Sequence, residues 1–77
     1  MLKKYELRKG KEYKTSKFII LTNTKEECCQ HIYFLENGKI SYLRMYNNKL
    51  DDNLTTIDYG SHTQFYFIKE IMESDND

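Results

Sequence analysis

The sequence predicts an α+β fold, mainly an antiparallel β-sheet of about four or five strands with a short helix at the C-terminal end. Three observations predict it. Apolar residues fall in short runs, Phe18 to Leu21, Ile32 to Leu35 and Phe65 to Ile68; each has the length of a strand and falls far short of the roughly 20 residues that span a bilayer. Asn37-Gly38 separates two of the apolar segments and can adopt the positive φ values of a type I′ hairpin turn. Beyond Thr63, Phe65, Ile68, Ile71 and Met72 recur at the spacing of one helical face, with Lys69, Glu70 and Glu73 opposite.

The elements follow in order. Tyr5 and Leu7 on one arm and Tyr13 on the other suggest a first hairpin around Lys9-Gly10. Lys17 to Thr22 reads as a strand through Phe18-Ile19-Ile20-Leu21, and Asn23 to Glu27 as the loop after it. Turning at Asn37-Gly38, a central hairpin would set Leu35 opposite Ile40, Tyr33 opposite Tyr42, His31 opposite Arg44 and Cys29 opposite Tyr46, with Glu36 opposite Lys39 at the mouth. A helix competes for residues 24–36: Thr24 and Glu27 have capping-box spacing, and Cys28, Ile32 and Leu35 repeat helically up to Gly38. The hairpin is favoured because Ile32-Tyr33-Phe34 are weak helix formers and good strand formers. Asn47 to Asn53 is a turn-rich loop, and Leu54 to Tyr59 a short strand closed by Gly60. Ser61 and Gln64, again at capping-box spacing, introduce the C-terminal helix, with a strand as the alternative because Phe65-Tyr66-Phe67-Ile68 has strong β character.

Residues 1–77 read as one small domain, with 74–77 a frayed acidic tail, because 9.3 kDa leaves room for a single core. A core of this size supplies only about 3–5 kcal/mol, so an ion or a partner would matter to it. Twelve basic and twelve acidic residues cancel, which argues against a simple polyanion binder. The balance conceals a division. Residues 1–25 carry eight bases and two acids, a charge of +6, and the rest carry four bases and ten acids, a charge of −6. The basic segment offers Lys9, Lys11 and Lys14 for phosphates, with Tyr5 or Tyr13 for base stacking, which would make a nucleic-acid-binding module. Lysines also block the edges of sheets, and that reading needs no ligand. Asp51, Asp52 and Asp58 in the acidic part could meet a basic surface of another protein.

Cys28, Cys29 and His31 lie within four residues, and with His62 they would supply the two thiolates and two imidazoles of a closed structural Zn²⁺ site. Adjacent cysteines diverge in a strand and in a helix, so a bulge would have to turn one of them, or a carboxylate or water would have to complete the set. A buried small thiol with surface histidines is the plainer alternative. Asp51, Asn53 and Thr55 begin like a calcium loop, but Thr56 occupies the position that needs Gly and His62 the position that needs Glu. No phosphate loop or oxyanion-hole motif accompanies the Cys and His residues, so no enzyme is expected. Neither a secretory signal nor a disulfide framework is expected, and cytoplasmic residence follows from that.

In size, composition and lack of catalytic apparatus, the chain resembles the small host-takeover proteins of phages and mobile elements, anti-CRISPR proteins among them. The resemblance is one of class and transfers no residue. It implies a protein-binding inhibitor that occupies a surface of a host nucleic-acid-processing enzyme, such as a CRISPR-associated nuclease, in the host cytoplasm. The acidic residues Asp51, Asp52 and Asp58 would then meet a basic groove.

Overall fold

The structure, a computed structural model, describes residues 2–40, 43–61 and 63–73. It is a two-layer α+β arrangement: five antiparallel strands with one helix packed on one face. The strands are β1 (Leu2–Gly10), β2 (Lys17–Thr22), β3 (Arg44–Asn47), β4 (Leu54–Asp58) and β5 (Phe65–Glu73), in the spatial order β2-β1-β5-β4-β3. The helix, α1 (Lys25–Leu35), stands between β2 and β3 in the chain.

Two expectations are corrected here. The central hairpin does not form, because residues 25–35 are helical. Thr24 caps the N-terminus, its Oγ1 accepting from the Glu27 amide at 3.1 Å. At the other end Asn37 (φ 56°) and Gly38 (φ 69°) do adopt positive φ, but they use it to close the helix. Gly38 N–H donates to the Tyr33 carbonyl and Asn37 N–H to the Phe34 carbonyl, which is a Schellman ending. Positive φ was legible in Asn-Gly; whether it would turn a hairpin or stop a helix was not. The capping pair outweighed the β-propensity of Ile32-Tyr33-Phe34, because the helix needs to bury only Cys28 and Ile32 to dock on the sheet.

The second correction concerns residues 65–73, which form a strand and not a helix, so the only helix described is in mid-chain. β5 lies between β1 and β4, and in its first half apolar side chains are buried on both faces. Tyr66 and Ile68 turn to the helix side, where they join Leu7, Ile57, Cys28 and Ile32 in the core, and Phe67 faces the other way. A strand apolar on two sides also scores at helical spacing, which explains the misreading. Ser61 still behaves as a cap, its Oγ accepting from the Thr63 and Gln64 amides, but it introduces a strand. The strand expected at 17–22 is present, the one expected at 54–59 ends at Asp58, and the loop expected from 47 to 53 begins after Asn47, the last residue of β3.

β1 pairs with both β2 and β5. A bulge in the β1–β2 ladder sets Leu7 opposite Ile20 but Arg8 opposite Phe18, and both Ile19 and Ile20 pack against the core. Tyr13 is not a strand residue. It lies in a 3₁₀ turn (Tyr13–Thr15) folded over the face opposite the helix, where its ring meets Phe67 edge-on at 6.0 Å and its hydroxyl donates to Glu6. Residues 74–77, expected to fray, lie outside the described residues, as do Tyr42 and His62. Among the described residues no helix is long and apolar enough to cross a membrane.

Candidate functional site: a lysine-rimmed cleft

β1 ends at Gly10 and β2 begins at Lys17, and the six residues between fold back tightly. A Cβ at Gly10 would come within 2.7 Å of the Ser16 Cα, so the close approach needs glycine. Arg8 fastens the loop: its Nε donates to Ser16 Oγ at 2.8 Å and a terminal nitrogen donates to the Ser16 carbonyl at 2.6 Å. Beside this loop lies a cleft of about 520 Å³, within the size range of small-molecule sites. Its lining includes the cations Lys9, Lys11 and Lys17, the apolar Ile19 and Leu35, and Glu36, the C-cap of α1, with Tyr66.

The ladder sets Lys9 directly opposite Lys17. Like charges in that position destabilise a sheet unless something compensates. Glu36 compensates Lys9: one carboxylate oxygen, Oε2, accepts from Lys9 Nζ at 3.3 Å and from the Tyr66 hydroxyl at 2.6 Å. The Lys9 ammonium also lies 5.1 Å from the Tyr66 ring centroid and 5.6 Å from that of Tyr59. The carbonyls at the end of α1 favour a cation at this place as well. Lys11 and Lys17, in contrast, are exposed and have no hydrogen-bond or ion-pair partner among the described residues, whereas Lys3 pairs with Glu70, Lys69 with Asp51, and Lys4 with Asn23. Two uncompensated charges of the basic segment, Lys11 and Lys17, therefore line the same cleft as the Lys9–Glu36 pair.

The hydrogen bond from Tyr66, and then Lys9, hold the Glu36 carboxyl below its ordinary value of 4.5, while burial pushes the Tyr66 phenol up. A carboxyl more acidic in the folded than in the unfolded chain adds stability that is complete above about pH 4.5 and is lost as pH falls through the lower folded value. The midpoint of urea unfolding should therefore decline as acid is added below about pH 4.5, and Tyr66→Phe should flatten that decline. An unchanged profile in Tyr66→Phe would show that the phenol does not hold the carboxylate.

Of the residues expected to bind nucleic acid, Lys9 and Lys11 meet at the cleft. Lys14 is exposed on the 3₁₀ turn, Tyr13 is engaged on the opposite face, and Tyr5 is half-buried against the core, so neither tyrosine stands beside the lysines as a stacking platform. Lys17, Ile19, Leu35, Glu36 and Tyr66 were not expected in the site. The signal for Lys17 lay in the hairpin itself, since pairing strands on either side of residues 11–16 brings it back to Lys9; Glu36 could not be found while it was assigned to a hairpin mouth.

The acidic residues do not make one patch. Asp51 is bound to Lys69, which with the Asn53 amide lowers its carboxyl, and Asp52 is exposed beside it. Asp58 is at the far end of β4, opposite Arg44 and accepting from the Gly60 amide at 2.9 Å. The expected metal ligands divide similarly. Cys28 is fully buried, its Sγ 3.1 Å from Thr22 Oγ1, while Cys29 is half-buried one residue further around the helix. Burial raises both thiols above their ordinary value, which disfavours the thiolate a metal needs. His31 packs against Phe34, with ring centroids 5.8 Å apart. Among the described residues no group of three or more His, Cys, Asp or Glu side chains could hold a metal ion, and His62 lies outside them.

Comparison with protein-family models, curated proteins and solved structures finds no match for this chain. The class of the molecule is then what its fold and cleft define: a small α+β domain with a cation-rimmed, apolar-walled groove.

Proposed function

We propose that this chain is a non-enzymatic binding module for single-stranded nucleic acid. Phosphates would lie against Lys11 and Lys17, and an unstacked base against Ile19 and Leu35. The observation that carries this reading is that Lys11 and Lys17, with no ion-pair partner among the described residues, line one cleft with Ile19 and Leu35. The cleft's charge supports it too: three lysines and one glutamate leave +2, a match for two phosphodiester groups. A concave groove with an apolar wall suits a base that is free to turn out of a strand, as bases in single strands are. Fluorescence anisotropy of a labelled single-stranded oligonucleotide tests it. Affinity should fall with added salt with a log–log slope near −1.4, about 0.7 for each of two phosphates. Absence of binding in low salt would end the proposal.

A second reading, the protein-binding inhibitor, keeps one favourable observation: Phe34 is 74% exposed on the last turn of the helix, with Tyr33 and Leu35 partly exposed beside it. On that reading inhibition of a host nucleic-acid-processing enzyme would be abolished by Phe34→Ser and untouched by neutralising Lys11 and Lys17. The opposite pattern would discard it.

A further inference from the structure

The cleft holds two unlike kinds of group, unpaired lysines and a carboxylate, and phosphate accounts for only the first. Glu36 would repel a phosphate, yet it lines the same groove as Lys11 and Lys17. Its Oε2 is engaged by Tyr66 and Lys9. Its Oε1 accepts no hydrogen bond among the described residues, and an ionised carboxylate offers acceptors only. Being held on one side by a phenol and an ammonium, the carboxylate is fixed in orientation and would cost little entropy in meeting a ligand. What suits it is a donor on a ligand whose apolar part can meet Ile19 and Leu35, which line the same cleft.

Resting on the single-strand reading, we propose that Glu36 gives the cleft a base preference: it accepts from an exocyclic amino group, so that cytosine is favoured over thymine or uracil. Cytosine offers its N4 amino group where thymine offers the O4 acceptor, and an acceptor set against a carboxylate is repelled. The two are pyrimidines of similar size, so contact with the apolar wall differs little between them. One charge-assisted hydrogen bond should separate them by about fivefold or more in affinity.

The experiment is competition, in one buffer at pH 7.5, between ten-nucleotide single strands of deoxycytidine, of thymidine and of N4,N4-dimethyldeoxycytidine, read by anisotropy on the full chain. The cytosine strand should bind about fivefold tighter than the thymine strand. The dimethylated strand, which lacks the N–H donors, should fall to the thymine level. Glu36→Gln should bring the cytosine and thymine strands together, because an amide can satisfy either edge, while removal of the negative charge keeps or raises overall affinity. Equal binding of the three strands by the wild-type chain, or a preference for thymine, overturns the preference and leaves the single-strand reading standing. Binding of none of them overturns that reading itself. The three-strand comparison requires no variant, so it decides the matter even if Glu36→Gln fails to fold.

Discussion

Ile32→Ala is expected to remove about 2–5 kcal/mol of folding stability, close to everything a domain of this size has. Ile32 is fully buried, and it shares with Cys28 the work of attaching α1 to the sheet; no other helix residue is buried. At eleven residues α1 is too short to persist by itself in water. Truncating its principal anchor would leave a cavity beside Leu7 and Ile68 and free the helix from the layer below. In a urea titration followed by far-ultraviolet circular dichroism, the variant should have lost much of its helical signal before denaturant is added. Phe34→Ala is the internal comparison. It lies two residues further on and is 74% exposed, so its midpoint should move by no more than about 0.5 kcal/mol. Equal effects of the two substitutions would mean that α1 does not dock through the Cys28–Ile32 face. The Ile32 variant should also lose the cleft, because Leu35 and Glu36 stand at the end of the same helix.

Neutralising Lys11 and Lys17 together as glutamine is the complementary experiment, since it should remove binding and leave folding intact. Both side chains are exposed and form no described ion pair, so no partner is orphaned by the change. Lys17 faces Lys9 in the ladder, and its neutralisation relieves a repulsion, so the melting temperature should stay constant or rise slightly. Oligonucleotide affinity at low salt should drop at least about tenfold, and the salt slope should approach zero from near −1.4, because about 0.7 disappears with each lost phosphate contact. Lys14→Gln, on the 3₁₀ turn outside the cleft lining, should leave most of the slope in place. If Lys14 mattered as much as Lys11 and Lys17, binding would come from diffuse positive charge along the segment, and the cleft would have no special part in it.

These expectations depend on residues that the sequence showed unequally. The excess of positive charge before residue 25 was visible by counting, and Lys9 and Lys11 were candidates from it. The companions were not. Glu36 and Leu35 come to the cleft from the helix end, and Tyr66 from β5, which is separated from Lys9 by more than fifty residues. The tyrosines nearest to the lysines in the chain turned out to be structural: Tyr5 under the helix, Tyr13 over Phe67. Proximity in sequence was a poor guide because Tyr5, on the same face of β1 as Lys9, is taken up by packing against the core, and Tyr13 leaves the strand in the 3₁₀ turn.

By itself the sequence determined the sheet-dominated class, the strands around 17–22 and 54–58, the turn-rich loop before the latter, and the positive φ of Asn37-Gly38, all of which depend on local propensity or on backbone sterics. Only the tertiary structure decided that residues 25–35 are a helix and 65–73 a strand, and which charges meet at the cleft. In both segments the local preferences for helix and strand were nearly equal. The choice fell to burial: as a strand, residues 65–73 hide Tyr66 and Ile68 under α1 and Phe67 under Tyr13, whereas α1 had to hide only one narrow stripe.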